Sequence, residues 1–405
     1  MQIIFYPFSP EYLDFYENIS KEFLYIVPEY KKDKFIRQEN IYFVDSYDID
    51  FLIELCEELI MKFDISKIIS ISEDSIYTAA YLNEYFNLKN NQSIFSALFY
   101  TDKLYMRRLL KKSDIKIPNF FKVDSYAGLI DTLDKVNIEY PLLLKPRNEA
   151  AAIGIYKLNN EEELKYMKDK DLSNYICEEF VPHIKVYTTD GIIENGKITN
   201  FFIHEYEEDI LSSFKTTKST IVRTFNEYTS KSSLVDKLYS QSQKIADLSN
   251  KENVENLFPF HFEWFLDDQG NIYFCEGAAR FGGGDIPTLI NLAYDVDIKK
   301  KYWDLLLNVE EKTIEVVKIN SKIAATILPY CKNGTLISTP QIEEYDFCYK
   351  AKIYKKRGDI VNEANKVIDV HSVVILDSEN ERDFKLKLEK VKKLNEKFVF
   401  EVKND

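Results

Sequence analysis

Glycine is scarce in this sequence, at 11 of 405 residues, and histidine is scarcer at 4. There is no GxGxxG dinucleotide fingerprint and no GxSxG nucleophile elbow. Gly191 to Lys197 fits GxxxxGK, but Ile198 stands where a P-loop needs Ser or Thr for magnesium, and Glu194-Asn195-Gly196-Lys197 reads as a hairpin turn. Four histidines without an HExxH arrangement argue against a histidine-rich metal site, so carboxylates should hold any metal. The five cysteines (Cys56, Cys177, Cys275, Cys331, Cys348) are scattered, odd in number and without a CxxC pair, which excludes a disulfide framework and a zinc knuckle. They read as reduced filler, mostly on strands. Basic side chains are also short, 53 against 67 acidic, and the resulting −14 charge argues against nucleic acid or an anionic membrane as main partner. A phosphate ligand must then meet a local basic site. No segment approaches the ~18 consecutive apolar residues of a membrane span. The opening MQIIFYPFSP lacks the basic and apolar regions of a secretory signal, so the expected location is cytoplasmic.

What the chain does have is apolar and aromatic material, 45% and 14%, enough for sizeable cores, and a length that suggests two or three domains of ~150 residues. Residues 1–95 alternate apolar runs (Ile3–Phe5, Leu24–Val27, Ile41–Val44, Ile68–Ile71) with helical stretches, the clearest being Phe51 to Phe63 with Leu52, Leu55, Cys56 and Leu59 on one face. This predicts an α/β unit with a largely parallel sheet. Thr101 reads as the N-cap of a helix bearing Met106, Leu109 and Leu110, with Pro118 marking its exit. Residues 96–310 are richer in strands: YPLLLKP, YICEEFV, the ENGK hairpin, HFEWFL and IYFCE, with a polar helix near Leu234 to Leu248. Residues 311–405 read as an α+β appendage packed on the preceding domain. The fold class is thus α/β and α+β, multidomain.

Two acidic strands carry the sharpest chemical signal. Placing a two-residue turn at Gln269-Gly270 pairs Asp268 with Asn271 and brings Glu263 opposite Glu276, with Cβ atoms ~5 Å apart. Two like charges so placed make sense if a cation such as Mg²⁺ joins them; the plain alternative is a shifted register with one glutamate in solvent. Lys145 ends an apolar strand before Pro146, and the following Ala150-Ala151-Ala152-Ile153-Gly154 can present backbone N–H groups to phosphate. Lysines at strand ends more often simply snorkel. Lys103 lies in the first turn of its helix, where the dipole disfavours a cation by ~0.3–1 kcal/mol and an anionic partner is invited, adjacent Asp102 being the plain alternative to a ligand. Arg280 follows Glu276 by four residues and leads into Gly282, Gly283 and Gly284, which allow either close ligand approach or a tight loop.

In this order the segments resemble the ATP-grasp superfamily of carboxylate–amine ligases, over roughly residues 95–310. TDKLYMRRLLKKSDIKIPNF resembles the family's opening helix with its first nucleotide lysine, Lys103, and YPLLLKPRNEAAAIGI the second lysine, Lys145, with a mobile phosphate loop through Ala151, Ala152 and Gly154. YICEEFV resembles the adenine hinge. There the resemblance implies Glu178 on the adenine amine, with Glu179, Phe180 and Val181 around the base. HFEWFLDDQGNIYFCEGAARFGGG resembles the metal hairpin, implying Glu263 and Glu276 as Mg²⁺ (or Mn²⁺) ligands and Arg280 on the transferred phosphate or substrate carboxylate. Two positions depart from the pattern: Lys185 stands where many members have an acidic ribose ligand, and Ala278 replaces a frequent asparagine, leaving water to complete the metal shell. EGAAR, KPR and the AAAxG loop look closest to the L-amino-acid (dipeptide) ligase branch. The resemblance implies an N-terminal pre-ATP-grasp domain (1–95), an ATP-grasp domain (96–310) and a C-terminal domain (311–405). It further implies ATP with a small carboxylate and an amine as partners, an acyl-phosphate intermediate, ADP and phosphate as products, and a homodimer. His183, His204 and His261 are candidates for the base that takes the amine proton. Activation of bicarbonate or formate, and a non-catalytic nucleotide-binding scaffold, are the alternatives.

Overall fold

The four N-terminal apolar runs lie side by side in the computed structural model, which describes the chain except residues 13–14, 16–20, 38, 89–91, 137, 215–217, 251–255, 309–314, 317–319, 321 and 403–405. Strands β1 (Gln2–Phe5), β2 (Phe23–Pro28), β3 (Ile41–Val44) and β4 (Lys67–Ser70) form a parallel sheet in the order β3-β2-β1-β4. Leu52, Cys56 and Leu59, one helical turn apart, bury one face of the helix Ile49–Lys62 against it.

A second sheet of four antiparallel strands, β5 (Phe120–Val123), β6 (Leu142–Pro146), β7 (Tyr156–Leu158) and β8 (Tyr175–Glu179), runs β5-β8-β6-β7. The third and largest sheet has nine strands. It joins β9 (Lys185–Glu194), β10 (Lys197–Tyr206), β11 (Ser219–Thr224), β12 (Leu257–Leu266), β13 (Ile272–Ala278), β14 (Glu315–Val316), β15 (Ile323–Pro329), β17 (Lys350–Ile353) and β19 (Ser372–Ser378) in the order β13-β12-β9-β10-β11-β15-β19-β17, with β14 beside β10. Strands β16 (Gly334–Ser338), β18 (Ile360–Val361) and β20 (Val399–Glu401) make a small separate sheet. Asn195 and Gly196 turn β9 into β10 with positive φ at both, the geometry that suits a two-residue hairpin and that only Asn, Asp and Gly adopt readily.

The C-terminal region is therefore hydrogen-bonded into the same sheet through β11 and β15, not merely packed on the preceding domain. The expected boundary at 95/96 falls inside the helix Ile94–Thr101, and the one at 310/311 lies outside the described residues. One aromatic-rich core crosses from the N-terminal sheet to the large sheet: Phe23 packs 5.4 Å from Trp303, and Tyr100 lies 5.3 Å from Phe258. Two local expectations need correction. Asp102, not Thr101, caps the helix Lys103–Leu110, because its carboxylate accepts from Leu104 N and Tyr105 N while Thr101 ends the helix before. All five cysteines are free, but only Cys177 and Cys275 sit on strands; Cys56 packs a helix face.

Candidate active site

Glu263 and Glu276 stand directly opposite each other on β12 and β13. The turn that was to set this register is different. Asp267 to Asn271 form a five-residue loop in which the Asp267 carboxylate accepts from Gln269 N and Asn271 N. A β-bulge compensates: Trp264 pairs with Phe274, which leaves Cys275 as the extra residue. Arg107 grips that bulge, donating to the Cys275 carbonyl at 2.5 Å and to the Phe274 carbonyl at 3.4 Å.

Three cations from separate segments converge here. Lys103 Nζ lies 3.3 Å from Glu276 Oε2 and donates to the Glu149 carbonyl at 2.5 Å. Lys145 Nζ lies 2.8 Å from Glu178 Oε2. Burial works against the Lys145 charge, but the adjoining Glu178 carboxylate outweighs it, and the lysine stays above its ordinary pKa. Burial would raise Glu178, yet Arg107 and then Lys145 pull it down to about 2. Glu276 is likewise lowered against burial, chiefly by Lys103. Arg280 reaches 207 positions back along the chain, where its Nε meets Glu73 Oε2 at 3.0 Å at the start of the helix Glu73–Tyr85.

The hinge is arranged differently from the expectation in one respect. Glu178 is fully buried, with its two oxygens on Arg107 and Lys145, so it braces the cations in place of facing a base. Glu179 accepts from Asn119 N and Nδ2. Phe180 has the Lys157 ammonium 3.5 Å from its ring centre, and Val181 is buried. Lys185 pairs with Glu205 at 3.4 Å. The small-residue loop bends through positive φ at Ala151, Ala152 and Gly154. It is tied down by Arg147 to Asp102 at 2.5 Å, Asn148 to the Thr101 carbonyl and Val367 N to the Ala151 carbonyl. Of the histidines, His204 is fully buried on Asp190, His261 is nearly so, and His183 stacks on Phe265 at 4.3 Å.

Arg107, Glu73 and Tyr206, whose hydroxyl donates to Glu263 Oε1 at 3.2 Å, were not singled out from sequence. Arg107 left a trace: it lies one helical turn after Lys103, on the face shared with Leu110.

Residues 138–288 match the ATP-grasp domain family. An L-arginine-specific L-amino acid ligase of Bacillus subtilis is 24% identical over 346 residues, 80% of this chain and 78% of that protein. The chain thus carries an ATP-grasp domain and is similar over most of its length to an ATP-grasp ligase. The L-amino acid ligase of Bacillus licheniformis has the same fold as this chain, with a TM-score of 0.76 at 15% identity over 100% of this chain and 98% of that one. So does N5-carboxyaminoimidazole synthetase of Staphylococcus aureus, solved with ADP, with a TM-score of 0.66 at 14% identity over 96% of each chain. Among the described residues no cluster of three or more metal-binding side chains is present, and no helix is long and apolar enough to cross a membrane.

Proposed function

We propose that this ATP-grasp ligase joins the carboxylate of an amino acid to an amine through an acyl phosphate, releasing ADP and phosphate. The observation that carries the reading is the pairing of Glu263 with Glu276 next to Lys103, in a site that also gathers Lys145 and Arg280. The sequence likeness to an L-amino acid ligase over most of both chains supports the substrate class.

The donor set suits a magnesium ion. Mg²⁺ is usually held by one or two carboxylates and completes its octahedron with phosphate oxygens and water, which is what Glu263, Glu276 and the alanine at 278 leave room for. Bound there, it would neutralise phosphate charge and hold the ATP tail in line. The chain's own groups do the rest. Lys145 and Lys103 bind phosphate oxygens, and the backbone of Ala151, Ala152 and Gly154 covers them. Phe180 and Val181 line the base, and Glu178 keeps Lys145 and Arg107 charged and fixed. Lys185, engaged by Glu205, is assigned no ribose contact. A carboxylate oxygen attacks the γ-phosphorus and ADP leaves; the neutral amine nitrogen then attacks the acyl carbon, phosphate leaves, and the proton shed by nitrogen passes to the departing phosphate or to water. Arg280 stabilises the charge that develops on the transferred group. The loop from Arg147 to Gly154 excludes water, without which the acyl phosphate would be hydrolysed.

The Arg280–Glu73 pair adds a reason for an amino acid in particular. A zwitterion offers a carboxylate to the guanidinium and an ammonium to the glutamate, so it can exchange with a pair that already matches its charges. The test is product analysis with Mg-ATP against a panel of amino acids, alone and in pairs, with bicarbonate as comparison. ADP and phosphate formed only with amino acids support the proposal. AMP and pyrophosphate, or turnover with bicarbonate alone, would overturn it.

A further inference from the structure

Asp190 has no part in the reaction above, yet it is 2% exposed and holds three side chains. His261 Nδ1 lies 2.7 Å from Oδ1; His204 Nδ1, at 2.9 Å, and the Thr188 hydroxyl, donating at 2.7 Å, share Oδ2. The sheet register builds this cluster. His261 is directly opposite Asp190 on β12 and β9, and His204 is directly opposite Thr188 on β10 and β9.

The cluster points at Glu263. The second ring nitrogen of His261, Nε2, lies 3.5 Å from Glu263 Oε1, the oxygen that also accepts from Tyr206. Among the described residues the hydrogen bond and the ion pair of Glu263 both fall on Oε1, and Oε2 makes neither. The loop after β13 closes on the same pair. A Cβ on Gly282 would come 2.6 Å from Asp190 Oδ1 and 2.9 Å from His261 Nδ1, so the first glycine of the GGG run is required by close approach to this cluster.

We propose that His261, oriented by Asp190, is a positioning residue for Glu263: it fixes Oε1 so that Oε2 is presented to a divalent cation. This rests on the reading that Glu263 and Glu276 hold that cation. Magnesium-sized ions tolerate little misplacement of their ligands, and groups that orient a metal-binding side chain typically change metal affinity ~10–100-fold.

The experiment titrates Mn²⁺ into the full-length protein saturated with ADP, following free Mn²⁺ by electron paramagnetic resonance, with metal-free ADP affinity measured in parallel. His261→Asn can reach Asp190 but not Glu263, and His261→Gln can place an amide N–H where Nε2 stands. Expected are a Mn²⁺ affinity at least ~10-fold weaker for the asparagine variant, recovery to within ~3-fold for glutamine, and unchanged metal-free ADP binding in both. Asp190→Asn should weaken Mn²⁺ in the same direction; should it fail to fold, the two His261 variants decide. Wild-type Mn²⁺ affinity in His261→Asn, or equal losses in both His261 variants, would overturn the positioning role. Glu276→Gln is the reference: if it binds Mn²⁺ as tightly as wild type, the carboxylate site itself is wrong and the proposal falls with it.

Discussion

Arg107 Nε lies 2.6 Å from Glu178 Oε1, with the arginine side chain 1% and the glutamate 0% exposed, and this pair links the hinge strand to the bulge beside Glu276. Removing one partner of a buried ion pair leaves the other charge uncompensated, which costs ~3–5 kcal/mol. Arg107→Met should lose about 3 kcal/mol, the lower end, since Lys145 still faces Glu178. The bulge carbonyls lose their donor as well, so Mn²⁺ binding should weaken in the folded protein. Denaturant unfolding checks the first effect; a change below about 1 kcal/mol would show that the pair contributes little.

Acid should erase that difference. Glu178 is depressed from 4.5 to about 2 in the folded protein, so its contribution is whole above pH 4.5 and is lost as the pH falls towards 2. In Arg107→Met the carboxylate titrates nearer its ordinary value, so acid takes less stability from the variant than from wild type. The gap between wild type and variant should narrow steadily from about pH 4.5 downwards. Unfolding curves at several pH values test this, and a gap that stays constant to about pH 3 would remove Glu178 as its source.

How much of this was legible in the sequence depends on the range of the contact. The opposition of Glu263 and Glu276 was reached from hairpin logic, yet by a two-residue turn that does not exist. The register survives because the bulge at Cys275 absorbs the difference, and that bulge is held by Arg107, 168 positions away in the chain. No local pattern encodes such a contact. The parallel N-terminal sheet and the ENGK hairpin were legible because alternation and turn chemistry are local properties. Glu73 could not be found the same way, since its partner Arg280 lies 207 positions away in the chain and an acidic residue in a helix's first turn already has an ordinary explanation in the dipole.

Lys145 separates binding from folding. Charge-assisted hydrogen bonds contribute about 1.5–3 kcal/mol, so Lys145→Met should weaken ATP by roughly 10- to 100-fold. It also leaves Glu178 with Arg107 alone and should lower the melting temperature. Calorimetry on the folded variant distinguishes the two; unchanged ATP affinity would take Lys145 off the phosphates.

The Arg280–Glu73 pair predicts a split in kinetic constants. Glu73→Gln keeps the hydrogen-bonding shape but loses the charge that matches an ammonium, so KM for the amino acid should rise ~10-fold or more while KM for ATP holds. Arg280→Lys keeps charge but loses the planar fork, so kcat should fall with it. Equal effects on both substrates would argue that the pair only ties the loop after β13 to the helix Glu73–Tyr85.

Ala151 and Ala152 sit at φ 55° and 59°, a region that costs an L-residue roughly 1–2 kcal/mol and glycine almost nothing. Chains tolerate such strain where the surroundings enforce it, and here Arg147, Asn148 and Val367 pin the loop. Replacing either alanine by glycine relieves the strain and enlarges the freedom of the unfolded chain, so stability should change by less than about 1 kcal/mol. The larger effect should be on coupling. Alanine strained at these angles works against the shut loop, whereas glycine adopts them freely and should hold water from the proposed acyl phosphate at least as well. Ala152→Gly should therefore lower the ADP formed per amide bond made, at near-normal stability. An unchanged ratio in both glycine variants would mean that water is excluded by other parts of the fold.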